Sequence, residues 1–238
     1  MAGVDFDIVN WAAWAPGLTT RDAWQAWAKD PTPRVGTEMP PLTEVPPMAR
    51  RRIEKISRLV FQVALWVQGE RRGVPIVFAS RHGAATRVFE LMISHARNEP
   101  ISPMGFALSV HNAVGGQYAI TREHVADVVA VGNGLFTAEA GVIEAVTLAP
   151  ESLLVVYDGS PHELLAPFFP EPASDFAWAL HLKRGGPWHL KTREVATTPA
   201  TNLPHALEVF RFLLNGDAPY RAGNGVSGYE WSRSSPPP

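Results

Sequence analysis

The sequence of 238 residues contains no cysteine. Without a thiol the chain can form neither disulfide bonds nor thiolate zinc or iron–sulfur sites, and it cannot use a cysteine as a nucleophile. Long apolar runs are also missing, since the stretch at residues 59–67 is interrupted by Gln62 and is too short to cross a bilayer. The first nine residues include Asp5 and Asp7 and lack a basic segment followed by an apolar one. We therefore expect no signal peptide and no membrane span, and a cytoplasmic protein.

The sequence also lacks an excess of positive charge. Lys and Arg number 21 against 23 Asp and Glu, for a formal net charge of -2. A nucleic-acid-binding surface normally needs a clustered basic excess, so we expect no nucleic acid among the partners. The length suits one filled core. We expect a single domain over residues 1–238, with a proline-rich arm at 31–47 and a frayed tail at 232–238.

Apolar periodicity and turn residues predict strands separated by helices. The predicted strands lie at residues 4–15, 74–79, 106–110, 153–157 and 176–182. The predicted helices lie at residues 20–27, from 50 to about 69, at 84–96, over most of 113–148, and at 205–214. In the last strand, bulky residues alternate with slimmer ones, which predicts two faces of different depth. This order of elements favours an α/β fold built in layers.

Two patterns that could indicate a cofactor or a metal have simpler interpretations. Residues 223–228 satisfy G-x-G-x-x-G, but they lie close to the C-terminal residues of the sequence with no helix pattern behind them, so we expect a turn. None of the eight histidines has another four positions away on one helix face. His181 and His189 flank a glycine-rich segment and are expected on either side of a loop. We expect neither a cofactor nor a metal.

Ser80 and His82 follow the predicted strand at 74–79 and precede a helix. Such junctions carry nucleophiles in hydrolases, but the elbow pattern G-x-S-x-G is absent. Adjacent serine and histidine residues also rarely have the geometry for proton transfer, because catalytic partners meet in space. We therefore favour the interpretation that Ser80 or His82 caps the helix at Ala84 while Arg81 holds a loop.

The segment at residues 103–120 is the most informative part of the sequence. It predicts a strand, a tight turn of small residues and then a helix. A turn residue at a helix N-terminus meets backbone amides and the helix dipole, which favour an anionic nucleophile. Apolar Ala113 occupies that position. The pattern has the form of a nucleophile site without a nucleophile.

The stretch Ser109 to Ile120, SVHNAVGGQYAI, resembles the nucleophile segment of β-ketoacyl synthases of the thiolase fold, V-S-T-A-C-A-S-G-x-x-A-I. The comparison puts Ala113 at the position of the catalytic cysteine and Gly116 at that of the glycine. The chain more closely resembles the short β-ketoacyl-synthase-like N-terminal-domain family of aryl polyene and related pigment pathways. The matching stretches are residues 11–18, 77–83, 99–103, 108–113 and 157–158.

This resemblance implies half of a thiolase-like fold and a non-catalytic role. With no cysteine, and with no counterpart of the second half that supplies two catalytic histidines, the chain is not expected to run a Claisen condensation. The resemblance implies a chain-length-factor-like subunit that forms a heterodimer with a complete β-ketoacyl synthase. The complex would elongate polyene, polyketide or fatty acyl chains on an acyl carrier protein, with this subunit shaping the acyl tunnel.

The same resemblance implies residues for each role. If the segment before Ala113 is a strand that pairs across the dimer, the interface contains Phe106, Ala107, Leu108, Ser109, Val110, His111 and Asn112. The candidate acyl-tunnel gate consists of Phe89, Met92 and His95, which share the apolar side of a predicted helix.

Two functions of other classes stay open at this point. One is an independent acyl hydrolase or transferase that uses Ser80 and His82. The other is a homo-oligomeric acyl-binding scaffold that needs no synthase.

Overall fold

The computed structural model describes residues 3–169, 171–216 and 218–234. The strands in these ranges are β1 (Gly3–Trp14), β2 (Ile76–Ala79), β3 (Val128–Val131), β4 (Glu151–Asp158), β5 (Phe176–Arg184), β6 (Trp188–Arg193), β7 (Tyr220–Gly223) and β8 (Gly228–Arg233). The helices are α1 (Arg21–Lys29), α2 (Pro47–Arg50), α3 (Lys55–Gln68), α4 (Ala85–Ala96), α5 (Pro103–Ala107), α6 (Ala113–Arg122), α7 (Thr137–Leu148) and α8 (His205–Asn215).

All eight of these strands form one mixed sheet, in the order β3-β2-β4-β5-β1-β6-β8-β7. Strands β3, β2 and β4 run parallel, with Val77 paired to both Val129 and Leu154. The remaining pairings are antiparallel. Helices cover both faces of the sheet, so the predicted α/β layered fold is confirmed.

The sheet separates two apolar cores. In β5 the bulky side chains point to one face, where they pack with residues of α7, α8 and α1, and they are Phe176, Trp178, Leu180 and Leu182. Ala177 and Ala179 point to the other face and pack with α3. This alternation of bulky and slim side chains matches the sequence prediction. Because the side chains of Ala177 and Ala179 are single methyl groups, α3 can approach this part of β5 closely.

The helix ends follow from local chemistry. The Thr20 side chain caps α1 by accepting a hydrogen bond from the backbone N–H of Ala23, at 3.2 Å. Helix α3 ends at Gly69, whose φ of 55° suits glycine, and α8 ends at Gly216 with φ 63°. These ends lie where the glycines predict them. Helix α3 begins only at Lys55, because the short α2 precedes it as a separate turn.

The predicted strand at residues 106–110 is wrong. Residues 103–107 form the helix α5, whose N-terminus is capped by the Ser102 side chain and begins with Pro103. Phe106 and Val110 point to solvent instead of into the sheet. The short apolar pattern therefore reflects an exposed surface and not a buried strand.

The sequence also does not predict the strands β3, β6, β7 and β8. β3 lies inside the region expected to be mostly helical, and β6 follows the glycine-rich segment after β5. Of the expected tail, Ser232 and Arg233 belong to β8, whereas residues 235–238 lie outside the described ranges. Among the described residues, none of the helices has the length and apolarity to cross a membrane.

Candidate functional site

The candidate site lies where the carboxyl ends of β2 and β4 meet the N-terminus of α6. Asp158, the last residue of β4, is buried and accepts three hydrogen bonds from the loop that follows β2. Its Oδ1 accepts from the Ser80 hydroxyl at 2.7 Å and from the His82 backbone N–H at 3.0 Å, and its Oδ2 accepts from the Arg81 N–H at 3.2 Å. Ligands bind at such strand ends in many α/β sheets.

Ser80 is fully buried and is committed to the structure of this loop. Its hydroxyl donates to Asp158 and its Oγ accepts the Gly83 N–H at 2.7 Å. Because its proton points to a carboxylate and not to His82, the two residues do not form a nucleophile–base pair. The hypothesis of a hydrolase or transferase built on Ser80 and His82 is therefore wrong.

The prediction that Ser80 or His82 caps the helix at Ala84 is only partly correct. Ser80 closes the turn that precedes α4, but Ala84, at the N-cap position, makes no side-chain capping bond. Arg81 does hold a loop, through an ion pair with Glu171 at 2.6 Å. Gly83 has φ +52°, and a Cβ on it would lie 2.4 Å from Nδ1 of His111, so a glycine is needed for the close contact with that ring.

Burial governs the charge states of the loop. It raises the pKa of Asp158 to about 6, although the hydrogen bonds from His82, Ser80 and Arg81 oppose the shift. Burial and the charge of Arg81 lower the pKa of His82 to about 4, against the opposing effect of Glu171. His82 is therefore neutral at physiological pH and packs against Phe169, with ring centroids 4.2 Å apart and the ring planes tilted by 43°.

Ala113, the first residue of α6, lines a cavity of about 380 Å³. Its apolar lining includes Ile56 of α3, Val114 of α6 and Leu108, which follows α5. Charged residues also contribute to the lining, namely Glu54, Lys55, Arg87, Glu90 and Asp175.

A second, more open cleft of about 450 Å³ adjoins this cavity. The two share four lining residues, which are His82, Ala84, His111 and Phe169. Phe89 and Met92, two of the three predicted gate residues, line the cleft. His95 is exposed near the C-terminal end of α4 and is not part of either lining.

The segment predicted as an interface lies at the surface next to the cavity. Phe106 is 68% exposed and Val110 is 50% exposed. Ala107 and Asn112 are also exposed, while Leu108, Ser109 and His111 are half-buried. Further large exposed apolar side chains lie on the neighbouring elements, and they are Ile101, Met104, Ile120 and Val125.

Other candidate residues lie away from this site. His181 Nε2 contacts Glu151 at 2.6 Å, and His189 Nδ1 contacts Asp5 at 2.6 Å. Residues 224–227 form the predicted turn between β7 and β8, and Gly223 and Gly228 are the paired ends of these strands. Within the parts of the chain that are described, no cluster of three or more His, Asp or Glu residues could hold a metal.

The sequence alone does not assign Asp158, Ser160 or Phe169 to the site. Asp158 had a usable signal, because it directly follows a buried strand whose carboxyl end is a common place for functional groups. Ser160 and Phe169 had none, since they enter the lining through the course of the loop after β4. That course is fixed by distant contacts such as the Ser160 N–H bond to Asp175 at 2.8 Å.

Comparison with solved structures gives strong matches to condensing enzymes. The chain superposes with a TM-score of 0.86 and 27% identity on a structure of the ketosynthase ApeO in complex with its chain length factor ApeC from Xenorhabdus doucetiae, covering 97% of this chain and 100% of the matched one. The ishigamide ketosynthase/chain length factor matches with a TM-score of 0.61 and 13% identity, over 81% of this chain and 67% of that one.

A β-ketoacyl synthase from Burkholderia phymatum matches with a TM-score of 0.54 and 11% identity, over 82% of this chain and 66% of that one. This match and the ishigamide match establish the fold. The chain matches none of the curated proteins. The family model described as "Beta-ketoacyl synthase, N-terminal domain" matches residues 24–232. The chain therefore belongs to the β-ketoacyl synthase N-terminal domain family and has its thiolase-like fold.

Proposed function

We propose that this chain is a non-catalytic, chain-length-factor-like subunit that pairs with a complete ketosynthase. The observation that carries the proposal is the match to a structure of a ketosynthase in complex with its chain length factor, which spans 97% of this chain and all of the matched one. The complex would elongate polyene, polyketide or fatty acyl chains carried by an acyl carrier protein.

The absence of a thiol supports the non-catalytic part of the proposal. The sequence has no cysteine, and Ala113 stands at the N-terminus of α6, beside a cavity. We assign Ala113 to the position that a nucleophile holds in a synthase. A methyl group cannot form an acyl intermediate, so the condensation would take place on the partner.

The exposed apolar surface next to Ala113 supports the pairing part. Met104, Phe106 and Val110 are each at least half exposed, and exposed apolar clusters of this kind mark interaction sites. Because residues 103–107 are helical, the partner would be held by side-chain packing against α5 and the following turn. Residues 106–110 form no strand, so the sheet of the partner would not be extended along them.

The cleft beside α4 supports a role in chain length. Phe89 and Met92 line it, and Met92 is 61% exposed. A partner seated on this side would meet these side chains at the end of its acyl tunnel. Each further methylene would gain roughly 0.8 kcal/mol until the tunnel is full, after which overpacking costs roughly 1–3 kcal/mol.

Co-purification with a ketosynthase encoded by the same organism tests the pairing. We expect a 1:1 complex from co-expression, and we expect Phe106→Glu to weaken it at least tenfold, which is roughly the loss of one apolar anchor. Val226→Glu is the matched control, because Val226 is 88% exposed in the β7–β8 turn. A complex that tolerates Phe106→Glu as well as the control contradicts the proposed interface.

The same co-purification also distinguishes the heterodimer from the other function still open, the homo-oligomeric acyl-binding scaffold. A stable assembly of this chain with itself, unaffected by any ketosynthase, would favour the homo-oligomeric acyl-binding scaffold and contradict the heterodimer.

A further inference from the structure

We infer that Asp5, His189 and Ser234 form a second site on this chain, a serine-nucleophile triad that hydrolyses short activated acyl esters. The inference goes beyond the proposed function, which concerns the pairing of this chain and places no reaction on it. The three residues lie on β1, on β6 and directly after β8. None of them lines the cavity beside Ala113 or the adjoining cleft.

Two short hydrogen bonds connect the three side chains. His189 Nδ1 lies 2.6 Å from Asp5 Oδ1, and His189 Nε2 lies 2.5 Å from Ser234 Oγ. Because an ionised carboxylate can only accept, Nδ1 carries the ring hydrogen, and in the neutral ring Nε2 accepts the hydrogen bond of the Ser234 hydroxyl. A serine bonded to a base that a carboxylate orients is the arrangement that activates a hydroxyl nucleophile.

The pairing of three strands fixes this arrangement. Asp5 is the direct cross-strand partner of His189 on β1, and Ser232 is its partner on β8. Ser234 follows two residues after Ser232 and therefore points to the same face of the sheet. Its backbone N–H donates to the Pro187 carbonyl oxygen at 2.8 Å. Groups held by neighbouring strands keep their geometry better than groups on loops.

Solvent reaches this face of the sheet. Trp188 and Leu190 pack in the core on the opposite face of β6. The His189 side chain is 24% exposed, and Ser234 is exposed. A substrate can therefore approach the serine hydroxyl directly. Because an open polar face gives an acyl tail little apolar contact, the site suits esters with a short acyl group and a good leaving group.

The hydrolysis balances with water as the only co-reactant. Ser234 Oγ bonds to the carbonyl carbon of the ester while its proton passes to His189 Nε2. The bond from that carbon to the leaving oxygen breaks, and the leaving alcohol takes the proton from Nε2. Water then attacks the acyl group on the serine and gives a proton to Nε2. The bond between the acyl carbon and Oγ breaks, Oγ regains a proton from Nε2, and the carboxylic acid leaves.

Ester hydrolysis by the full chain tests the site with p-nitrophenyl acetate and p-nitrophenyl octanoate. We expect the acetate to be hydrolysed faster than in buffer, and Ser234→Ala and His189→Gln each to lower kcat/KM by at least about tenfold. The octanoate should react within about threefold of the acetate, because its tail is not buried. No hydrolysis of the acetate, a rate that Ser234→Ala leaves unchanged, or a strong preference for the octanoate overturns the inference.

Labelling with a fluorophosphonate identifies the nucleophile. The serine oxygen displaces fluoride from phosphorus, and peptide mass spectrometry locates the adduct. We expect the label on Ser234, and labelling at least about tenfold slower in His189→Gln. Ser232→Ala is the matched control, since Ser232 lies on the same face directly opposite His189, and it should react like the wild type. A label on another residue overturns the assignment.

Asp5 is a positioning residue, because it acts through His189. We expect Asp5→Asn to lower kcat by at least about tenfold with KM unchanged, and Asp5→Glu to recover part of the loss. Asp7→Asn, on the same strand, is the control and should keep the wild-type kcat. If Asp5→Asn has an unchanged melting temperature and the kcat of the wild type, the assigned role is wrong. A chain that pairs with its ketosynthase but hydrolyses no ester overturns this inference alone and leaves the proposed function standing.

Discussion

At the scale of single residues, Asp158 is the group that organises the site. It fixes the loop after β2 through three hydrogen bonds, and through Ser80 it also fixes Gly83. These bonds pre-form the contact of His82 with Phe169 without any contribution from a ligand. The same carboxyl is buried, so its ionisation is coupled to folding.

We predict that Asp158→Asn changes the pH dependence of stability. The pKa of Asp158 is raised from 3.8 to about 6 in the folded chain. The contribution of its carboxyl group to the free energy of unfolding is therefore greatest below pH 4 and is lost as the pH rises through 6. The free energy of unfolding of the wild type relative to the variant should fall by on the order of 2 kcal/mol between pH 4 and pH 7.

Urea unfolding at several pH values measures this difference. Subtracting the variant also removes the opposite effect of His82, whose lowered pKa makes acid destabilising. Asp127→Asn, at an exposed position, is the control and should give a flat difference over this range. If the difference in the free energy of unfolding between the wild type and Asp158→Asn stays constant over this pH range, burial does not raise the pKa of Asp158 as proposed.

A second buried pair, Glu139 and His205, lies between α7 and α8 and also contacts β8. Glu139 is fully buried, and its Oε1 accepts hydrogen bonds from His205 Nε2 at 2.8 Å and Trp231 Nε1 at 3.1 Å. Burial alone would lower the pKa of His205, but the charge and hydrogen bond of Glu139 outweigh it and raise that pKa. The pair thus holds α8 and β8 against α7.

We predict that Glu139→Gln destabilises the chain by about 3 kcal/mol at pH 6, because a buried pair loses one partner. A raised histidine pKa gives stability that is lost as the pH rises through it, so the cost should be smaller at pH 9. Thermal or urea unfolding at both pH values checks this. Glu144→Gln, on the same helix and half-buried, should cost little at either, and an equal loss for the two variants would sink the account.

At the scale of elements, α4 and α5 differ from the other helices of the described chain. None of the residues of α4 is buried, and α5 presents Met104 and Phe106 to solvent. A helix with an apolar stripe and no core contact is typical of an element that packs against another molecule. Substitutions of exposed side chains on α4 and α5 should therefore alter the complex and not the fold.

We predict that Phe89→Ala and Met92→Ala shift the products of the complex to longer chains. Each additional methylene that the enlarged cleft accommodates should be favoured roughly fourfold. Mass spectrometry of the released products measures the distribution. His95→Ala, on the same helix but outside the cleft, is the control, and an unchanged distribution in the first two variants would remove them from the gate.

The sequence predicts most helices of this fold and the strands β1, β2, β4 and β5, but not the strands β3, β6, β7 and β8 or the pairing of strands. β2, β4, β5, α3 and α8 carry clear apolar periodicity because they face the core. The segment at 106–110 has the same apolar character for a different reason, namely its exposed surface, so it was assigned to a strand. The pairing of β1 between β5 and β6 depends on contacts distant in sequence, which no local pattern encodes.

The candidate site likewise has one part that the sequence predicts and one part that it does not. The position of Ala113 at the start of a helix followed from its small-residue turn and from the resemblance to condensing enzymes. The cavity beside it could not be predicted, because its lining combines α3, α6 and the loop after β4. Such a space depends on how separate elements pack.

At the scale of the whole molecule, the proposed pairing accounts for two features, namely the absence of a thiol and the exposed apolar surface at α5 and the turn that follows it. In the proposed heterodimer, a chain without cysteine would need no condensing active site of its own, and the surface that includes Phe106 and Val110 would be covered by the partner. On this proposal the chain would contribute shape to the complex, and the other subunit would carry out the condensation.

We predict that Ala113→Cys does not create a condensing enzyme from this chain alone. His181 and His189 are bound to Glu151 and Asp5 outside the cavity lining, so the new thiol would lack their help in proton transfer. Incubation of the variant with acyl and malonyl carrier-protein substrates, with the ketosynthase complex as positive control, checks this. Condensation by the isolated variant would refute it.

The most direct test of the central claim is a condensation assay with three samples: this chain alone, its ketosynthase alone, and the complex of the two. We expect no product from the chain alone and full elongation only from the complex, with the product length set by this chain. Product from this chain alone, or a ketosynthase whose product length and rate are the same with and without it, would contradict the claim.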